Sequence, residues 1–299
     1  SGTLTVTDLD LSDTVSFTTT DVEVSTTNED VLAWLPSEED LIAMMTSSPA
    51  EGLEANPGDE HNVTWTFNSN VEAFNYLAEG ETLTLTYTIE AKDSSLDGAT
   101  TTQEVTITVL GTNDAPVITV EDGDSVAETL TETNDELVVD GTITIADIDL
   151  SDDVALSVDV AVTAAPDSVL GALPDAATLI AMLEIDPVTA ATPNEPNNVA
   201  WTFDSEDHAF DYLAQGETLE LTYTVLADDT HGGTATQTIT ITINGTNDTP
   251  VIEVLDGNGA DIAADTDAAE LIETDAGLTV SGTLTVTDLD LSDTVSFTT

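Results

Sequence analysis

Small polar residues alternate with β-branched or aliphatic residues along most of the chain. Clear stretches are TLTVT at 3–7, TLTLTYTI at 82–89 and VTITV at 105–109. A period of two sends alternate side chains to opposite faces, which predicts strands with one buried face. The number of such strands and the turn residues between them predict an all-β fold made of antiparallel, Ig-like sandwiches.

Two kinds of helical stretch interrupt this alternation, and each occurs twice. Residues 36–45 begin with a Pro followed by acidic residues, which is typical of a helix N-terminus, and residues 174–183 are their counterpart. Residues 71–77 (VEAFNYL) and 207–213 (DHAFDYL) are predicted as a second short helix. We expect the apolar side chains of these short helical insertions to fill the core rather than line a pocket.

Long-range repetition sets the domain organisation. Residues 1–19 are identical to residues 281–299, and 140–158 carry a weaker copy. The motif WTF at 65–67 returns 136 residues later, as does YLAEGETL at 76–83 in the form YLAQGETL. Such internal copies predict a tandem array. The predicted units are a repeat lacking its first strand at 1–114, a complete repeat at 115–248, and the N-terminal part of a third repeat at 249–299.

The charge of the chain limits its partners. Its 299 residues include 60 acids and one basic side chain, Lys92, for a net charge of −59. Nucleic acid is excluded as a partner because no cationic surface can replace the counterions of a phosphate backbone. Anionic membrane surfaces are disfavoured for the same reason, and no apolar run is long enough for membrane insertion. No Cys is present, so disulfides play no part.

The same charge creates a demand for cations. Two carboxylates about 5 Å apart cost on the order of 1 kcal/mol in water and several times more near a protein surface. Because the chain has almost no Lys or Arg, the compensating cations are expected to come from solution. The acidic hinge GTNDAPV at 111–117, which returns as GTNDTPV at 245–251, offers carboxylate, amide and carbonyl oxygens of the kind that Ca²⁺ binds.

The hinge motif, YLAEGETLTLTYTI before it and SGTLTVTDLDLSD after the next turn together resemble the VCBS-type, cadherin-like repeats of giant bacterial RTX adhesins. The resemblance extends over the whole chain. It implies cadherin-like sandwiches in tandem, calcium at the domain junctions, and export to the bacterial cell surface by type I secretion. Repeats of this kind usually act as extenders that hold an adhesive tip away from the cell.

Strand parity, meaning the alternating direction of successive strands along the chain, predicts which residues lie beside the hinge. In an antiparallel sandwich, the D-x-D loop after the second strand and the loop before the last strand lie at the same end as the upstream linker, and Glu132 lies at the opposite end. One junction thus gathers residues around Asp114 and the other gathers residues around Asp248. Asp8 and Asp10 serve a junction that is only half present, and Glu273 is the counterpart of Glu132. The predicted calcium ligands are Asp8, Asp10, Asn113, Asp114, Glu132, Asp147, Asp149, Asp152, Asp228, Asn247, Asp248, Glu273, Asp288 and Asp290, with Asp93 as a further loop candidate.

Other functions find less support in the sequence. No enzyme is expected, because none of the three histidines recurs at the aligned position of the other copy and no nucleophile or zinc pattern accompanies them. A glycan-binding adhesive module is an alternative, with Trp34 as the candidate exposed contact, although we expect Trp34 to be buried. A third interpretation is lateral self-association of the array into an extracellular fibre or surface layer. The expected partners are otherwise the neighbouring repeats of the same polypeptide.

Overall fold

The computed structural model describes the chain except for residues 188–194, 254–269, 282–284 and 299. Within the described residues the fold is all-β, in the form of tandem Ig-like sandwiches with short helical insertions. No helix in this part of the chain is long and apolar enough to cross a membrane.

The first unit is a sandwich of two three-stranded antiparallel sheets. Its strands are Gly2–Leu4 (β1), Val15–Thr26 (β2), Met45–Ser48 (β3), Val63–Phe67 (β4), Thr82–Asp93 (β5) and Thr100–Leu110 (β6). The sheet orders are β1–β4–β3 and β2–β5–β6. The inward positions of β5 alternate with outward Thr residues and are almost fully buried, as the period-two pattern predicts.

The second unit repeats this plan with two additional strands. Its strands are Val117–Thr119 (β7), Ala127–Thr131 (β8), Val138–Ala146 (β9), Ala155–Ala164 (β10), Leu183–Ile185 (β11), Val199–Asp204 (β12), Thr218–Asp228 (β13) and Thr234–Asn244 (β14). The sheet orders are β7–β9–β12–β11 and β8–β14–β13–β10. All pairings are antiparallel except that of β8, which runs parallel to β14.

Strands β9 to β14 are therefore the counterparts of β1 to β6, and β7 and β8 are the extra pair. A short antiparallel ribbon of Val251–Glu253 (β15) and Thr285–Thr287 (β16) follows. The first hydrophobic core is formed by residues 15–109, and Leu4, Val6 and Leu150 also pack against it. The second core is formed by residues 118–243. The predicted boundaries at 114 and 248 remain predictions.

One of the two predicted helices forms in each unit. The first pair consists of Glu38–Ala43 (α1) and Ala176–Ala181 (α2), each capped by a side chain: Ser37 for α1 and Asp175 for α2. A 3-10 helix, Glu29–Ala33, precedes α1. The predicted helices at 71–77 and 207–213 are wrong, because these segments fold as turns in which Phe74 and Phe210 have positive φ values of 55° and 60°.

The tryptophans differ in burial. Trp201 is 1% exposed and its indole donates to the Ser125 carbonyl at 3.0 Å. Its counterpart Trp65 is only partly buried. The expectation of burial is wrong for Trp34, which is 38% exposed and lies with its ring centroid 6.5 Å from that of Tyr76.

A glycine in β9 is required by the buried indole beside it. A Cβ at Gly141 would collide with the ring of Trp201. We therefore expect Gly141→Ala to lower the free energy of unfolding by about 1–3 kcal/mol, because the packed core must shift to accept a methyl group. Urea denaturation measures the change, with Gly171→Ala as the control, since a Cβ at Gly171 meets no atom within 4 Å. Equal stability of the two variants contradicts this packing argument.

Candidate metal centres at the repeat junctions

The D-x-D-L-S-D loop adopts the same local structure in all three copies. In the second copy, the Asp149 amide donates to Asp147 Oδ1 at 3.1 Å, and the Asp152 amide donates to the Asp149 carbonyl at 3.0 Å. The first copy forms the same two hydrogen bonds, both at 2.9 Å, from the Asp10 amide to Asp8 Oδ1 and from the Asp13 amide to the Asp10 carbonyl. In the third copy the corresponding distances are 3.2 Å and 3.1 Å. Asp at the first position favours this turn because its carboxylate accepts the amide two residues on.

At the first junction the linker closes onto this loop. The Asp114 amide donates to Asp149 Oδ2 at 2.7 Å, and the Asn113 side-chain amide donates to Asp229 Oδ2 at 3.0 Å. The loop also contacts the preceding unit, because the Leu150 amide donates to the Tyr76 carbonyl at 3.5 Å. The junction thus joins a linker, the loop after β9 and the loop after β13.

The second junction repeats these contacts. The Asp248 amide donates to Asp290 Oδ2 at 2.8 Å, and the Leu291 amide donates to the Tyr212 carbonyl at 3.3 Å. From the other side, Glu132 Oε1 accepts the Thr246 amide at 2.6 Å and also the hydroxyl of Thr246. The structure therefore places Glu132 on the downstream linker, at the end of the unit opposite to the Asp147 loop.

Several oxygens at these junctions are buried without a hydrogen bond. Among the described residues, no donor reaches one oxygen on each of Asn113 (Oδ1), Asp147 (Oδ2), Asp149 (Oδ1), Asp248 (Oδ2) and Asp290 (Oδ1). Buried acceptors without a donor are costly, since they lose water and gain nothing in return. Both junctions therefore contain buried oxygens that no protein donor in the described part of the chain satisfies.

The ionisation of these carboxylates is perturbed in the direction that burial predicts. Burial, reinforced by the charges of Asp152, Asp147 and Asp114, raises the pKa of Asp149 to about 6 although the Asp114 amide opposes the shift. Burial also raises the pKa values of Asp147, Asp152 and Asp290. Because each shift reflects lost solvation and like charge, a bound cation would reverse it.

In the β13–β14 loop, the residue that contacts the linker is Asp229 rather than the predicted ligand Asp228. Asp228 lies at a half-buried position and caps its own turn through the Thr230 amide, whereas Asp229 is fully buried and bonds to Asn113. Burial disfavours the charged form of Asp229, but hydrogen bonds from Asn113, His231 and Gly233 outweigh it and lower the pKa. Sequence reasoning missed Asp229, although it lies 136 residues after Asp93, at the offset of the repeat.

A histidine distinguishes the first junction. His231 Nδ1 lies 3.2 Å from Asp152 Oδ2, and the charge of Asp152 raises the pKa of the imidazole. The first unit has Ser95 at the corresponding loop position, where its hydroxyl bonds to Asp93. Asp152 therefore faces a group that can become cationic, in a chain that offers few such groups.

The first copy of the loop brings together a different set from the one predicted. Carboxylate oxygens of Asp8, Asp13 and Asp93 all lie within 4.8 Å of one another. Asp10 is exposed, whereas Asp149 and Asp290, its counterparts, are almost fully buried. Asp13 was missed as a candidate, although it is the counterpart of Asp152 in the repeated motif.

The remaining predicted ligands are more exposed than the buried aspartates of the junctions. Asp288 accepts the Asp290 amide and is half-buried. Asn247 is exposed, and its side chain donates to the Asp248 carbonyl. Glu273 is exposed in a segment without regular secondary structure, and its role as the counterpart of Glu132 remains a prediction.

The donor set of the junctions fits calcium. The groups gathered there are carboxylate, amide and carbonyl oxygens, which Ca²⁺ prefers, and some of these oxygens are buried with no other partner. Asn113, Asp114, Asp147, Asp149, Asp152 and Asp229 would hold the ion at the first junction, and Glu132, Asp248, Asp288 and Asp290 would contribute to the second. A bound ion would supply positive charge and link the linker to both flanking loops.

Comparison with known proteins identifies structural relatives only. No protein-family profile and no curated protein sequence matches the chain. Cadherin extracellular regions are similar in structure. The extracellular domain of protocadherin GammaB4 is 14% identical, with a TM-score of 0.35, and the match covers 80% of this chain and 30% of that one. The human CDH23 fragment EC21-23 is 13% identical, with a TM-score of 0.37, and the match covers 92% of this chain and 69% of that one. Drosophila N-cadherin gives 14% identity and a TM-score of 0.25, covering 63% of this chain and 37% of that one. The chain spans less than two thirds of the first and third of these. Because the TM-scores are low, the fold class rests on the strand pairings.

Replacement of one buried carboxylate should have opposite effects with and without calcium. We expect Asp149→Asn to weaken calcium binding at least about tenfold, because it removes a ligand charge. In chelator the same variant should unfold at a higher temperature, because a buried charge is gone. Calcium titration calorimetry and thermal denaturation measure the two effects. Asp153→Asn, at the exposed neighbouring acid, is the control. Destabilisation in both conditions contradicts the assignment.

Stability in chelator should fall as pH rises. The folded-state pKa of Asp149 is about 6, above the value of about 3.9 for an unfolded Asp. A raised carboxyl pKa contributes stability that is fully present below about pH 4 and is lost as pH rises through about 6. The unfolding temperature in chelator should therefore decrease from about pH 4.5 to 7.5, less steeply for Asp149→Asn. An increase over this range is the contrary result.

Proposed function

We propose that this chain belongs to a calcium-stabilised extender of a large bacterial cell-surface adhesin, in which tandem sandwiches form a rod that projects an adhesive tip. The observation that supports this proposal best is the recurrence of one set of contacts at both junctions. At each, an Asp of the linker donates its amide to the second Asp of the D-x-D loop, and the following Leu bonds to a Tyr carbonyl of the preceding unit.

The repeated geometry supports a mechanical role because it gives the same constraint at each step of the array. The hydrogen bond from a linker amide ties the linker to one loop only. An ion that takes oxygens from the linker and from both flanking units would fix the angle between them. The strands of a sandwich span roughly 30 Å, so a series of fixed junctions would extend far from its point of attachment.

Electrostatics supports calcium as the stiffening agent. With a net charge of −59 and one basic side chain, the chain repels itself, and cations from solution supply the compensation. Extracellular calcium modules bind with Kd values of about 10⁻⁴ to 10⁻³ M, which suits ions present at millimolar concentration outside a cell. Secretion by a type I system and a bacterial surface location are part of this proposal through the family resemblance.

Solution scattering tests the stiffening role directly. With calcium, the 299-residue chain should give a distance distribution with a defined long dimension. In chelator, flexible junctions should shorten the average extent and smooth the distribution. NaCl at matched ionic strength is the control, because it screens charge without filling a site. Identical curves with calcium and chelator, or full restoration by NaCl, would overturn the proposed clamp.

A further inference from the structure

Three aromatic side chains form a cluster in the first unit beside the first junction. The ring centroid of Trp34 lies 6.5 Å from that of Tyr76, which lies 6.3 Å from that of Phe74 in an edge-to-face arrangement. Distances of this size are typical of favourable aromatic pairs. The carbonyl of Tyr76 also accepts the Leu150 amide of the next unit. The aromatic cluster is thus adjacent to the point where the second unit contacts the first.

Leu150 makes an apolar contact in addition to this hydrogen bond. Although it belongs to the second unit, its side chain packs against the hydrophobic core of the first. Tyr76 and Leu77 are part of that core, with 4% and 1% of their surface exposed. An apolar contact requires neither charge nor a bound ion, because the removal of apolar surface from water drives it. The contact of Leu150 is therefore independent of the carboxylates at the same junction.

The second unit lacks the tryptophan of this cluster. The stretches VLAWLP at 31–36 and VLGALP at 169–174 align without a gap, so that Ala172 is the counterpart of Trp34. Within the described residues, Tyr212 pairs with a phenylalanine ring alone, whereas its counterpart in the first unit also carries the tryptophan ring. Both junctions share the hydrogen bond from Leu to Tyr, at 3.5 and 3.3 Å. They differ in the aromatic cover of the tyrosine.

We infer that Trp34 locks the first junction through an apolar contact that does not need calcium. Its ring holds the Tyr76 turn in place, so that the carbonyl and the core surface that receive Leu150 keep their positions. The second junction has Ala172 instead and lacks this lock. The inference concerns the contact between units when calcium is absent, so it goes beyond the proposed clamp and does not require it.

The lock has a consequence for a longer array, which rests on the tandem arrangement in the proposed function. Residues 1–19 and 281–299 are identical and are separated by one unit of each kind, so junctions with and without the tryptophan would alternate. Loss of calcium would then loosen alternate junctions first. The array would separate into pairs of sandwiches that stay aligned, rather than into single sandwiches that all move freely.

Hydrogen exchange of single amides in chelator tests the lock, because the Leu150 amide reports on its own bond to the Tyr76 carbonyl. The full chain is measured in about 1 M NaCl, where the screening length is about 3 Å. We expect Trp34→Ala to speed exchange of the Leu150 amide about fivefold, as for the loss of one aromatic pair. Leu32→Ala is the matched control, since Leu32 lies in the adjoining 3-10 helix and is 48% exposed. Amides of β5 show whether the first unit stays folded.

The reverse replacement covers the case in which Trp34→Ala unfolds the first unit. Ala172→Trp adds the ring to the second unit, and it should slow exchange of the Leu291 amide in chelator about fivefold. Leu170→Trp is its matched control. Leu170 lies two residues earlier and is 53% exposed, so a ring there should leave the exchange of Leu291 unchanged.

Each outcome decides the inference. Unchanged exchange of Leu150 in a folded Trp34→Ala chain would overturn it, as would an equal acceleration by Leu32→Ala. Unchanged exchange of Leu291 in Ala172→Trp, or equal slowing by Leu170→Trp, would also overturn it. Calcium is absent throughout, so failure of the lock is separate from failure of the calcium clamp, which is tested by adding the ion.

A double-mutant cycle checks that Trp34 and Leu150 act on one contact. In chelator, Trp34→Ala and Leu150→Ala should each lower the unfolding temperature of the first unit. The double variant should lower it by less than the sum, because both replacements remove the same contact. Leu32→Ala combined with Leu150→Ala should give additive changes. Additive changes for Trp34 and Leu150 would contradict the lock.

Discussion

Burial of carboxylates without basic partners is the constraint on which this structure depends. Buried acids in proteins are usually paired with Lys or Arg, but this chain has one Lys and no Arg. At the junctions, backbone amides donate to Asp149 and Asp290, and His231 lies beside Asp152. These donors leave other carboxylate oxygens unsatisfied. Under the proposed calcium clamp, the positive charge that completes each junction would come from outside the polypeptide, and cohesion between the units would depend on the ions around them.

Much of the candidate site follows from the sequence because strand parity is a strong constraint. Repetition of the D-x-D motif and antiparallel topology are enough to bring Asp147 and Asp149 to one linker and Glu132 to the other. Loop composition alone favours Asp228, whereas the residue that the structure buries against the linker is Asp229. The alternation of buried positions along β13 indicates Asp229, since it continues from Ala227 to Asp229. The sequence of a loop, in contrast, does not show whether a neighbouring unit buries it.

The turn segments show where local pattern misleads. The stretch VEAFNYL has the composition of a short helix, but seven residues make few internal hydrogen bonds and their helical preference is weak. The chain instead adopts a left-handed conformation at Phe74, and the Glu72 carboxylate accepts the Phe74 amide at 2.9 Å. Phe74 and Tyr76 are thereby buried together. Tertiary packing determines the conformation of this segment, and the hydrophobic periodicity of the sequence does not predict that packing.

Identical sequences in different surroundings separate local from junctional properties. Residues 1–19 and 281–299 are the same, yet Asp10 is exposed while Asp290 is 2% exposed. The difference is the linker, since Asp248 donates its amide to Asp290 and Asp10 has no such partner among the described residues. The loop alone therefore forms the turn, and the adjoining linker creates the buried site. Trp201 likewise donates its indole N–H to the carbonyl of Ser125, which precedes β8, whereas its counterpart Trp65 is only partly buried. Asp290 and Trp201 are thus buried with the help of residues outside the six strands that the two units share.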